Sequence, residues 1–140
     1  MRQFEYFIQT QEVKQSAKDE ALARSLIKDM KERIKDAFLL DISKFAKIVF
    51  ENVYDALRDF ADALLAIDGF KSYSHQASFA YLAKYGFNTS ALDTLDRFRY
   101  KRNGSKYYGQ SVSIEEAREI AEFFKNNKEK INTLVEGKKQ

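Results

Sequence analysis

The chain has no cysteine, no proline and no tryptophan, and only one histidine and five glycines among its 140 residues. Without cysteine there can be no disulfide, no thiolate nucleophile and no cysteine-type zinc site. A lone histidine, His75, rules out a multi-histidine metal site within one chain. There is no glycine-rich phosphate loop, no paired-histidine zinc spacing and no serine elbow, so neither metal nor cofactor is expected. The N-terminal segment is charged and lacks the apolar centre of a signal peptide, and no window reaches the length of a membrane span. No membrane association and a cytoplasmic location are the expectation. The lack of proline and shortage of glycine favour long uninterrupted helices over a strand-rich fold.

What is there fits one helical domain. The length suits a single unit with a real core, and the core material is bulky, with twelve Phe and eight Tyr. A net charge of +3 is mildly basic, which permits a nucleic-acid partner without requiring one. Residues 1–15 carry Phe4, Tyr6 and Phe7 without a clear period and read as an arm or a short helical turn. Ser16 is a candidate N-cap for a helix over about 16–39, with Leu22, Leu26, Met30, Ile34 and Phe38 as its apolar stripe. Its lysines alternate with acids, as on a solvated face.

A second long helix is expected over about 44–67. Ala46, Val53, Leu57, Phe60, Leu64 and Ile67 lie on one face and Lys44, Lys47, Glu51, Asp55, Arg58 and Asp62 on another. This is the cleanest amphipathic pattern in the chain and marks the central helix, stopped at Asp68-Gly69. Glu51, Asp55, Asp59 and Asp62 lack the Glu-x-x-His partner of a di-iron helix, so they read as a solvated face. A third helix spans about 74–85, with His75 beside Ser74 reading as a surface or capping residue. A fourth covers about 90–102 behind Asn88-Thr89-Ser90. A fifth runs from Ser113 to about Leu134, opened by a capping box of Ser113 and Glu116. Residues 16–135 form the domain, and 136–140 read as a frayed polar tail. The expected architecture is all-α, a five-helix bundle with two long antiparallel helices and three shorter ones.

The stretch that stands out chemically is Leu92–Gly109. Between Arg97 and Lys106 it carries Arg97, Arg99, Lys101, Arg102 and Lys106 with no acid, then Tyr107 and Tyr108. Asn103-Gly104 reads as the break that ends the fourth helix. Cations and phenols at a helix exit suit a phosphate, with tyrosines available to stack on bases. A solvated basic helix end, favoured by the dipole, is the structural alternative.

The strings VYDALRDFADALLAIDGFK, SHQASFAYLAKYG and LDRFRYKRNGSKYYG, in this order, resemble the HEPN family of small helical proteins over about residues 16–130. The likeness is strongest at Arg102-Asn103, since the family signature is an arginine, often followed by Asn or Asp, then a histidine four to six residues on. Catalytic HEPN proteins are metal-independent endoribonucleases, often homodimers with a shared basic cleft, and many act as toxins or work beside a small nucleotidyltransferase. The resemblance implies that Arg102 holds the phosphate and Asn103 orients it. In this chain Tyr107 stands where a histidine is expected, followed by Tyr108 and Gly109. Tyrosine, with a pKa near about 10 against about 6.5 for imidazole, is a poor general base at neutral pH. Losing the proton shuttle removes roughly a factor of 10²–10⁴. The tyrosine that a nucleotidyltransferase partner modifies in some members corresponds here to Gly109.

Three readings are open. One is a dimeric HEPN-like module with a degenerate motif, Arg102, Asn103 and Tyr107. It would hold RNA or a nucleotide through Arg99, Lys101, Arg102, Lys106, Tyr107 and Tyr108, with a nucleotidyltransferase partner. The second is an active metal-independent endoribonuclease in which Tyr107, or His75 from elsewhere in the dimer, transfers the proton. The third is a protein-interaction module whose basic stretch is only a solubilising helix end.

Overall fold

A computed structural model describes residues 1–139. It contains α1 (Phe4–Gln9), β1 (Val13–Gln15), α2 (Glu20–Leu39), α3 (Ala46–Asp68), β2 (Phe70–Ser72), α4 (His75–Ala80), a 3-10 turn (Tyr81–Tyr85), α5 (Thr89–Tyr107) and α6 (Ile114–Lys139). The all-α expectation holds at the level of class. The helix count is six among the described residues, because the N-terminal arm supplies one, and a short two-stranded ribbon joins them.

Twelve of the 23 residues of α3 are buried, more than one helical face can supply, so α3 runs through the middle of the bundle. Asp19 at the head of α2 donates its backbone N–H to Ala66 O near the end of α3, which makes these two helices antiparallel. Along α5 and α3, Arg102 meets Asp55 and Ser105 meets Glu51, so α5 is also antiparallel to α3. Phe38 against Phe124 and Lys31 against Glu136 set α6 antiparallel to α2. Edge-to-face aromatic contacts close the centre: Phe98 lies 6.1 Å from Phe50 and 5.6 Å from Phe123.

The caps explain most boundaries. Asn88 accepts from Ala91 N at 2.9 Å, and Ser113 and Glu116 exchange backbone bonds as a capping box requires. Gly69 ends α3 at φ 85°, in the left-handed region that glycine enters without strain. Ser16 is not the cap of α2. Its N–H donates to Gly69 O at 2.8 Å, which holds it extended, and Asp19 caps instead by accepting from Leu22 N.

Four further expectations are corrected. The arm is a helix followed by a strand: Phe7 and Val13 are buried with Ala77 and Ala80 in a small second core. β1 pairs antiparallel with β2, with Val13 opposite Ser72, Lys14 opposite Lys71 and Gln15 opposite Phe70. The core stripe of α2 is Ala23, Ile27, Met30 and Ala37, while Leu22 and Phe38 are exposed. A strict four-residue repeat precesses around a 3.6-residue helix, so its two ends leave the core on opposite sides. The expected helix over 74–85 tightens from α-helix to a 3-10 turn at Tyr81. At the C-terminal end α6 continues through Lys139 in place of the expected frayed tail over 136–140, and Gln140 lies outside the described residues.

The largest correction concerns Asn103-Gly104, which does not break α5. Gly104 is helical and buried, and its carbonyl accepts from both Tyr108 N and Gln110 N one turn later. A side chain at Gly104 would collide with the Gln110 amide, an exposed group free to swing aside. Gly104→Ala is therefore expected to raise stability by about 0.5–1 kcal/mol through helix propensity. Urea unfolding measures this, and a loss of stability would show that the Gln110 amide does not give way.

Candidate phosphate-binding site at the α3–α4–α5 junction

α5 places Leu95, Phe98, Arg102 and Ser105 on its buried side at helical spacing. Arg102 thus occupies a core position, and its side chain is only 9% exposed. The guanidinium points inward, onto α3. Nη2 donates to Asp55 Oδ1 at 3.2 Å, Cζ lies 5.3 Å from the centroid of the buried Tyr54 ring, and Nε is buried without a hydrogen-bond partner.

Tyr54 is the pivot of the site. Its hydroxyl forms a 2.8 Å hydrogen bond with His75 Nδ1, and the two rings stack with centroids 5.9 Å apart. His75 and Arg102, 27 residues apart in sequence, therefore meet across one phenol. Burial and then the charges of Arg58, Arg102, Arg99 and Lys106 press the imidazole down to about 4, so it is neutral at pH 7. Burial pushes the Tyr54 hydroxyl well above its ordinary value, so it stays a phenol.

Below the pivot, the polar row of α3 is engaged with neighbouring elements rather than solvated as its spacing suggested. Glu51 accepts from the Ser105 hydroxyl, and Asp55 takes Arg102 and, at 3.7 Å, Arg33. Asp59 receives Arg33 Nε at 3.0 Å; burial nonetheless raises its carboxyl to about 6. Arg58 Nε sits 3.0 Å from Asp62 Oδ2 without hydrogen-bond alignment, and Asp62 also accepts from the Ser78 hydroxyl at 2.7 Å. Burial raises Asp62 as well. These side chains sit on the inner faces where α2, α4 and α5 press on α3, so amphipathic spacing alone misplaced them.

The other sequence candidates separate into two groups. Arg99, one turn before Arg102, is partly buried and bonds Asp96 within α5 at 2.8 Å; Lys106, one turn after, is exposed. Both act on His75 electrostatically. Asn103 is half-buried beside them and makes no side-chain hydrogen bond among the described residues. Lys101 turns away, to Ser111 O at 2.7 Å and Glu116 at 3.2 Å, where it ties α5 to the start of α6. Arg97 pairs with Glu119 on α6 through both terminal nitrogens. Tyr107 and Tyr108 are exposed. Because α5 continues through Tyr107, five residues rotate that side chain roughly 140° from Arg102 about the helix axis. Tyr107 therefore does not stand beside Arg102 as a replacement for the missing histidine. Tyr54, Asp55 and Arg58 were missed as site residues; an aromatic residue and an arginine four apart on a central helix were the signal for two of them.

Comparisons with protein-family models, with curated proteins and with solved structures found no match to this chain. No helix is long and apolar enough to cross a membrane, and no cluster of three or more His, Cys, Asp or Glu could hold a metal, among the described residues.

Because the chain has one histidine, its ring protons give an assignable magnetic-resonance signal. That signal is expected to titrate near 4, and Arg58→Ala or Arg102→Gln to move it upward by removing a cation. The unfolded chain binds the proton more readily between about 4 and 6.5, so this group contributes stability that is full above 6.5 and lost as pH falls toward 4. His75→Gln should flatten the pH dependence of unfolding in that window by about 1–2 kcal/mol, allowing for the partial exposure of the ring.

Proposed function

We propose that the chain is a HEPN-like protein that binds RNA or nucleotides through phosphate at the junction of α3, α4 and α5. The observation that carries this reading is the buried, unpartnered Nε of Arg102. A guanidinium has five N–H donors in a fixed fork, and one left unmet in a buried site costs about 1–3 kcal/mol. A phosphate oxygen would satisfy it, and Arg99 and Lys106, one turn to either side, would supply further charge. The exposed Tyr100, Tyr107 and Tyr108 offer rings for unpaired bases on the outer side of α5. The homodimer, the nucleotidyltransferase partner and a toxin–antitoxin setting rest on the HEPN resemblance alone.

The test is fluorescence anisotropy with a labelled single-stranded oligoribonucleotide. Each phosphate contact contributes about −0.7 to the slope of log affinity against log salt for single strands. Lys106→Ala is expected to reduce that slope by about one contact, and Arg102→Gln to weaken binding at least tenfold. Salt-independent binding, or variants that bind like the parent, would favour the interaction-module reading.

A second reading, metal-independent RNA cleavage, is favoured by the link from Arg102 through Tyr54 to His75. A neutral imidazole can take the 2′-hydroxyl proton as the 2′-oxygen bonds to phosphorus; the P–O5′ bond then breaks and the 5′-oxygen leaves with a proton. The products are a 2′,3′-cyclic phosphate and a 5′-hydroxyl. Incubation with RNA in EDTA, analysed for cyclic ends, tests it. His75→Ala should lower the rate roughly 10²–10⁴-fold while RNA affinity is retained; absence of cyclic ends from the parent protein would exclude it.

A further inference from the structure

The β1–β2 ribbon has one face committed to the interior and one open. Val13 is buried against Phe7, Ala77 and Ala80, which fixes the ribbon's orientation, and successive strand residues alternate sides. The opposite face therefore carries Lys14 and Lys71, and the register sets these two directly across from each other. Like charges in that position repel and weaken a strand pair. Among the described residues neither lysine has an ion-pair partner.

Both lysines approach one aromatic ring. Lys14 Nζ is 5.9 Å and Lys71 Nζ 5.5 Å from the ring centroid of Tyr73, and Tyr73 is 61% exposed. The residue is held in place by its backbone, whose N–H donates to Glu12 O at 2.8 Å. Two ammonium groups beside an open phenol ring match the two parts of a nucleotide unit, an anionic phosphate and a flat base. Tyr73 is two residues before His75, so their Cα atoms are at most about 7 Å apart. The ribbon thus leads directly into α4, whose first residue is His75.

We infer that the outer face of the ribbon is a second subsite for single-stranded polynucleotide, with Tyr73 stacking on a base and Lys14 and Lys71 holding the flanking phosphates. This rests on the RNA-binding reading above and extends it. A strand bound at Arg102 continues across α4 onto the ribbon, so a dinucleotide fills the first subsite alone, whereas an oligomer of about a dozen residues reaches both.

The experiment compares labelled oligouridylate of that length with a dinucleotide competitor, using the parent chain, Tyr73→Ala, Tyr73→Phe and Lys14→Ala/Lys71→Ala. All three positions changed are exposed, and circular dichroism checks the fold. For the long oligomer, Tyr73→Ala should raise Kd about tenfold and Tyr73→Phe should restore binding, because stacking needs the ring and not the hydroxyl. The double lysine variant should lower the log–log salt slope by about 1.4. Dinucleotide affinity should stay at the parent value in every case. If the parent binds the long oligomer and the ribbon variants bind it equally well, the inference fails while the Arg102 site stands. If the parent binds neither probe, the RNA-binding reading itself fails, and the ribbon subsite with it. Loss of dinucleotide affinity in the ribbon variants would also overturn the inference, since it would place Tyr73 inside the first subsite. So would binding of the ribbon to anionic vesicles with the oligomer unaffected.

Discussion

The bundle depends on pairing the polar row that α3 carries into its own interfaces. Glu51, Asp55, Arg58, Asp59 and Asp62 occupy the central helix, and each carries a hydrogen-bonding demand into the interfaces around it. The fold answers by drawing partners from three surrounding elements: Arg33 from α2, Ser78 from α4, Arg102 and Ser105 from α5. These bonds fix the register of the outer helices against α3, where apolar packing alone would tolerate sliding. Removing a single member leaves its counterpart without that partner in a partly buried setting.

The same constraint shapes the candidate site. Arg102 reaches inward because Asp55 receives it, and the plane of the guanidinium is then set against Tyr54. Asp55 is more exposed than Arg102, 29% against 9%, so the charge pair opens toward solvent on its acidic side. On the proposed reading, an incoming phosphate would compete with the carboxylate for part of the fork and would gain the donor that the carboxylate does not reach. Tyr54 is hydrogen-bonded to His75, whose proton affinity is held low by burial and by the cations around it.

Much of the helical framework was legible in the sequence because its signals are local. Asn88, the Ser113–Glu116 box and the Gly69 stop act within a few residues of the ends they define. The ribbon was not legible, since its strands are three residues each and are paired across more than fifty positions of chain. Gly104 misled because a glycine weakens a helix only on average, and here the residue keeps helical geometry and its carbonyl accepts twice. For the site, charge clustering singled out Arg102, Arg99 and Lys106 on one side of α5. It could not separate them from Lys101 and Arg97, which the same stretch points at α6. His75 read as a capping-region residue because its partner, Tyr54, is nearby only after α4 folds back on α3.

The most direct test follows the single imidazole of His75 by magnetic resonance while a single-stranded oligoribonucleotide is added. Phosphate seated against Arg102 should shift the ring signals saturably and raise their titration midpoint from near 4 toward 6.5, as the bound negative charge offsets the surrounding cations. Ring signals and a midpoint that stay in place at saturating oligonucleotide would contradict the account.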